Sequence, residues 1–231
     1  MVLSAAHDAH AYNFVIDGYL GDWGVTPGGF NSSDWTPDDG ILSKVEDQNT
    51  AYLNPGWGGQ GYDAEAIYAA KEGNMGYLSI VTGMRPEGLS WLPGDIFFNF
   101  GPNSTYGIKT IGPDAGKMYK NPSWNTSPYW GGITDPTSMI AGSGTYLGTL
   151  NNFVYAYTYP DAIDYHYVME MAVPIDYFGD DFELGGTVHW TETCGNDAID
   201  LMIPAHIPEP ATISLLGLGL LSLAKFINGR R

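Results

Sequence analysis

The sequence predicts an all-β protein: an antiparallel, jelly-roll-like β-sandwich followed by a C-terminal hydrophobic helix. Three observations carry that prediction. Apolar residues between positions 12 and 204 recur with a period near two rather than 3.6, as in a strand with one buried face. Glycine (31 residues) and proline (15 residues) break the chain at short intervals, supplying the backbone angles that many tight turns need. A long apolar run occurs only in the last two dozen residues, behind two prolines. With 231 residues, 44% of them hydrophobic and 14% aromatic, the chain has room for one ordinary domain with a full core.

The elements follow in order. Residues 1–11 end in Ala9-His10-Ala11, the small-x-small form of a signal-peptidase site. Only a short stretch precedes it, too short for an apolar leader core. We therefore expect residues 1–11 to be a signal-peptide remnant without order, and residues 12–204 to form the sandwich. The clearest strand is 165–173, Tyr-His-Tyr-Val-Met-Glu-Met-Ala-Val. Its odd positions are Tyr165, Tyr167, Met169, Met171 and Val173, while His166 and Glu170 fall on the other face, which predicts a half-buried strand. Further strands are predicted at 12–16, 66–70, 76–82, 95–100, 106–110, 153–159 and 188–193. Turn clusters such as Asn54-Pro-Gly-Trp-Gly-Gly and Arg85-Pro-Glu-Gly separate them. A single helical turn is expected at 175–178, after Pro174.

Charge excludes one class of partner. Nine Lys and Arg face 26 Asp and Glu, a net charge of −17, and Lys225, Arg230 and Arg231 lie in the tail. So acidic a body repels phosphate backbones, which argues against nucleic acid, and it favours hard divalent cations. The one cysteine, Cys194, cannot form an internal disulfide and reads as a small buried core residue. The HExxH, GxSxG and GxxxxGK[ST] signatures are missing, and no pair among the acids stands out for glycoside hydrolysis. We expect a protein that is not an enzyme. His166 and His189 lie on predicted strands and would meet only if those strands pair.

From Ile207 the chain reads Ile-Pro-Glu-Pro-Ala-Thr, then an apolar run from Ile213 to Ala224, then Lys-Phe-Ile-Asn-Gly-Arg-Arg. The run is at the short limit for crossing a bilayer, and its basic end suits the cytoplasmic side. Pro208-Glu209-Pro210, the glycine-containing apolar segment and the terminal Arg230-Arg231 together resemble the PEP-CTERM sorting signal. That resemblance covers residues 207–231. It implies export and processing by exosortase, an integral-membrane cysteine protease of Gram-negative bacteria that make extracellular polysaccharide. Pro208, Glu209 and Pro210 would be the recognition motif, and the membrane helix would serve until processing. Residues 205–231 are therefore set apart from the sandwich.

The body resembles the CBM9/DOMON-like sandwich, a fold of carbohydrate-binding modules and extracellular sugar- or haem-binding domains. The likeness rests on Ile16-Asp-Gly-Tyr-Leu-Gly-Asp-Trp23, on Tyr62-Asp-Ala-Glu-Ala-Ile-Tyr68 followed by Gly76-Tyr-Leu-Ser-Ile-Val-Thr82, and on residues 167–178 with Ala172-Val-Pro-Ile. It implies structural Ca²⁺, with Asp17, Asp22, Asp63 and Glu65 as the matching acids. Asp63 and Glu65, two apart on a strand, would share one face and one cation; Asp17-Gly18 also reads as a plain turn pair. A sugar partner would need exposed rings, and the loop candidates are Trp57, Trp91, Trp124, Tyr129 and Trp130. Trp23 and Trp190 are assigned to the core. The resulting expectation is an exported carbohydrate-binding protein whose partner is the cell's own exopolysaccharide. The alternative is a structural matrix or surface-layer subunit without a sugar site.

Overall fold

The structure, a computed structural model, describes residues 12–27, 35–46, 59–102, 104–126, 135–159 and 165–205. The expected leader remnant and the C-terminal hydrophobic helix lie outside these residues. Thirteen strands follow one another among them: β1 (Leu42–Val45), β2 (Ala64–Glu72), β3 (Met75–Thr82), β4 (Ile96–Phe100), β5 (Thr105–Ile108), β6 (Lys117–Lys120), β7 (Trp124–Thr126), β8 (Pro136–Met139), β9 (Thr145–Thr149), β10 (Phe153–Tyr159), β11 (His166–Pro174), β12 (Gly186–Thr191) and β13 (Ala198–Ile203). They form a five-stranded sheet ordered β1-β2-β3-β11-β10, a six-stranded sheet ordered β13-β12-β4-β5-β6-β9, and a separate β7–β8 hairpin. All the pairings are antiparallel. The chain is the all-β antiparallel protein the periodicity predicts. Among the described residues no helix is long and apolar enough to cross a membrane.

The two sheets close over one core. β3 and β11 contribute Leu78, Ile80, Met169, Met171 and Val173; the facing sheet contributes Ile96, Phe98, Phe100, Ile108, Val188, Trp190, Leu201 and Ile203. Met169 stands opposite Ile80 and Met171 opposite Leu78, so the odd face of β11 points inward as its alternation requires. The short 3₁₀ turn expected after Pro174 is present at Ile175–Tyr177.

The even face of β11 corrects the expectation of a half-buried strand. His166, Val168, Glu170 and Ala172 are buried as well. Residues 12–25 form no strand at 12–16. They run as an irregular strap over the outer face of the five-stranded sheet, with a 3₁₀ turn at Gly21–Trp23. Leu20, Trp23, Val25, Trp35 and Ile41 pack there on Ala66, Tyr68, Ala70, Val81 and Val168, making a second core. Glu170, 0% exposed, fastens the strap. Its carboxylate accepts hydrogen bonds from Trp23 Nε1 at 2.7 Å, Gly18 N at 2.8 Å and Asp17 N at 3.0 Å. Gly18 adopts φ 84° and a Cβ there would press on Thr158 and Val154, so the Asp-Gly pair is needed for the strap to reach Glu170.

The β7–β8 hairpin lies on the outside of the six-stranded sheet. Trp124 packs edge-on to Phe97, with centroids 5.1 Å apart, and its ring covers Gly107. Buried Asp95 ties the hairpin down, accepting from Met139 N at 2.7 Å and from Lys109 Nζ at 2.7 Å. Beside it Gly94 is wedged against the carbonyls of Thr137 and Thr191 with no space for a Cβ.

Replacing Glu170 with alanine strands three N–H donors at once, those of Gly18 and Trp23 buried and that of Asp17 partly so. We expect Glu170→Ala to cost about 3 kcal/mol or more, and Glu170→Gln less, in a urea unfolding curve. An Ala variant within 0.5 kcal/mol of wild type would remove Glu170 from this role.

Candidate functional site

One end of the sandwich gathers the loops at 59–63, 83–95, 110–116 and 192–197, and two features meet there. The first is a set of buried acids. Asp63 precedes β2, Glu65 sits at the start of it, and Glu192 and Asp197 flank the turn between β12 and β13; all four are buried. Asp63 and Glu65 do not sit two apart on a regular strand, contrary to the expectation. Ala64 pairs with Thr82 and Ala66 with Val81, so Glu65 is the extra residue of a bulge. Their carboxyls nevertheless share a hydrogen bond.

Burial, then the neighbouring Glu65, with Asp197 and Glu192 behind it, push Asp63 up to about 11, so it keeps its proton at neutral pH. Burial works to raise Glu65 too, but hydrogen bonds from His166, Asp63 and Gln60 hold it below the usual range. His166 Nε2 lies 3.0 Å from Glu65 Oε1, and Gln60 Nε2 donates to the same oxygen at 3.2 Å. Asp197 accepts from Ala64 N at 2.7 Å and from Ala198 N at 2.9 Å, and burial still raises it to about 7. Glu192 is raised well above the usual range by burial and then by Asp197. Asp197 N donates to its Oε2 at 3.3 Å, while Glu192 Oε1 and Asp63 Oδ1 are buried without a hydrogen-bond partner. Mechanically, these acids tie the loop before β2 to the β12–β13 turn.

The second feature is an aromatic surface. Tyr157 and Tyr165 are 50% and 42% exposed. Both rings flank Tyr167, with centroids 5.0 Å and 6.3 Å from it. Tyr165 and Leu89 meet over Gly61, which joins the tyrosines to the 83–95 loop, where Leu89, Trp91 and Leu92 are exposed. Burial, then Glu87, raises the Tyr167 phenol while Arg85 works to lower it, so the ring lies in the field of both charges. Arg85 is held by donation from Nε to Gly88 O at 2.7 Å. An open cleft of about 310 Å³ adjoins this surface, sharing Glu87 and lined also by Thr110, Ile111, Phe153 and Tyr155.

The residues nominated from sequence scatter. Of the sugar candidates, Trp91 is exposed at this end, whereas Trp124 is a packing residue of β7 and not a loop residue. Trp57, Tyr129 and Trp130 lie outside the described residues, as do Pro208, Glu209 and Pro210. Asp17 and Asp22 stand apart from Asp63 and Glu65, in the strap. Asp17 Oδ1 accepts from Tyr19 N at 2.8 Å and Asp22 Oδ2 from Val15 N at 2.6 Å. His166 and His189 belong to different sheets, and His189 Nδ1 contacts Asp200 Oδ1 at 2.9 Å. Among the described residues no three His, Cys, Asp or Glu side chains stand ready to hold a metal ion. Trp23, Trp190 and Cys194 are buried, as expected; burial, then Glu192, pushes the Cys194 thiol up to about 11. The reading missed Tyr157, Tyr165 and Tyr167, although tyrosines crowding the facing ends of β10 and β11 were a visible signal: a wholly enclosed face has little use for so many phenols.

Comparison with known proteins gives one match. Residues 206–231 match the PEP-CTERM protein-sorting motif. The match supports an exported surface protein that exosortase, a membrane protease, sorts. No curated protein and no solved structure matches the chain. The body has the sandwich architecture that its resemblance implies, and the likeness is established no further than that.

The acids generate a prediction with a definite sign. Asp197 and Glu192 bind protons more tightly folded than unfolded, so their contribution is full below about pH 4 and is lost as pH rises, for Asp197 through about 7 and for Glu192 well above the usual carboxylate range. Glu192→Gln mimics the protonated acid. In chelator-treated buffer it should melt within a few degrees of wild type at pH 5 and above it at pH 8; identical pH–Tm curves for both would refute the assignment.

Proposed function

We propose that this exported protein is a glycan-binding module of a Gram-negative bacterium that makes extracellular polysaccharide. The tyrosine surface and its cleft are the binding face. The observation that carries the reading is the row Tyr157–Tyr167–Tyr165 at a loop end, within the field of Arg85 and Glu87. Ring faces suit the C–H faces of a sugar, and flanking charges suit its hydroxyls. The convergent acids do not favour a hydrolase: Asp63, Glu65, Glu192 and Asp197 are buried, and a general acid must reach its substrate.

The exposed Leu89, Trp91 and Leu92 favour a second reading, in which the same face makes protein contacts in a matrix. One experiment separates the two. Binding of the folded protein to immobilised polysaccharides should weaken about tenfold, roughly 1.4 kcal/mol, in a Tyr157→Ala/Tyr165→Ala double variant that melts like wild type. No binding across a broad glycan panel, together with concentration-dependent self-association that the double variant abolishes, would instead establish the matrix reading.

Calcium belongs to the proposal in a narrower form. Carboxylate oxygens suit a hard cation, and Asp63 Oδ1 and Glu192 Oε1 are buried without partners, although these acids do not stand as a ready-made set of three ligands. Asp17 and Asp22 stand apart from these acids, in the strap, where each accepts from a backbone N–H group. A cation bound only by the folded protein raises its melting temperature by mass action. Adding EDTA to protein prepared in millimolar Ca²⁺ should therefore lower the Tm by several degrees, and an unchanged melt would eliminate calcium from the proposal.

A further inference from the structure

The chain leaves the sandwich at the end opposite to the tyrosines. Ala64 N bonds to Asp197, and Tyr167 pairs with Thr82, whose hydroxyl donates to Asp63 O. These contacts put the start of β13 and the tyrosine row at one end. β13 then runs the length of the sheet to Ile203, which pairs with Gly186. Gly185 packs against residues 203–205 at that far end, beside the 3₁₀ turn Gly179–Leu184. Two of the most exposed apolar side chains of the described residues flank this exit, Met202 at 69% and Leu184 at 58%.

The sorting motif begins at residue 206, and the apolar run begins at Ile213. Seven residues separate Ala205 from Ile213, eight Cα–Cα steps, a leash of at most roughly 28 Å at about 3.5 Å per step. A strand of nine residues such as β11 spans about 30 Å at ~3.3 Å per residue. The leash is therefore no longer than the body, and a body tethered at its exit end has little reach to turn its other end to the bilayer.

We propose that, while residues 206–231 hold the chain in a membrane, the exit end lies on the lipid surface through Leu184 and Met202, and the tyrosine surface is held outward. The inference rests on the sorting motif and not on the glycan reading. Asp180 and Glu183 are exposed at the same end, so the surface that fits is a zwitterionic one; an anionic bilayer would repel it.

The test uses the full chain in phosphatidylcholine vesicles, labelled at Glu183→Cys or at Ser90→Cys, with an energy acceptor on the lipid headgroups. Cys194 is buried and stays unlabelled. Flotation with the vesicles establishes that the tail inserts; failure to float overturns the tail reading itself. In floated protein, transfer from position 183 should exceed that from position 90 severalfold, and Leu184→Asp/Met202→Asp should narrow the gap. Equal transfer from both positions overturns the orientation. A gap unchanged by the double Asp variant overturns the lipid contact.

Discussion

A buried carboxyl with only neutral N–H donors to satisfy it, Glu170 is the point on which the five-stranded sheet turns. A lone buried acid is expensive, and burial raises this one to about 7. Three N–H groups from the strap offset that expense, and in doing so bring Trp23 and Leu20 onto the sheet. Without the strap, Val168, Ala66 and Tyr68 would face solvent. The sandwich is therefore three layers deep on this side: strap, sheet, sheet.

That third layer explains where sequence reading succeeded and where it stopped. Period-two alternation located β11 and oriented it correctly, because Met169 and Met171 meet a facing sheet whatever covers their backs. The same alternation could not reveal that His166 and Glu170 are enclosed, since the cover comes from residues 101 to 153 positions away. The entry motif was legible as a motif, yet its purpose was not: Asp-Gly supplies a turn and Trp23 a donor, both aimed at Glu170. β13 carries its own alternation, with Ile199, Leu201 and Ile203 inward and Asp200 and Met202 outward, although it is not among the predicted strands. β6, β7 and β9 are short and partly exposed, and local pattern alone does not separate such strands from loops. The site was harder still. Glu65 reaches Asp63 through a bulge, and bulges shift side-chain parity without marking the sequence.

The two ends of the sandwich divide the work. At one, buried acids bind loops to each other, and exposed tyrosines sit on the frame so formed; the proposed glycan face would draw rigid support from it. At the other, the chain departs toward its sorting motif within a few residues of Ile203. A single antiparallel strand, β13, connects the acid turn with the point of departure.

Cys194 has a consequence for life outside the cell. Its sulfur is enclosed and its proton is held beyond ordinary thiol behaviour, next to an acid that repels a negative sulfur. Thiol exchange proceeds through the thiolate and requires access. A secreted chain with an odd cysteine normally risks cross-linking to its neighbours; this one carries its thiol through oxidising surroundings in a form that neither meets nor attacks another.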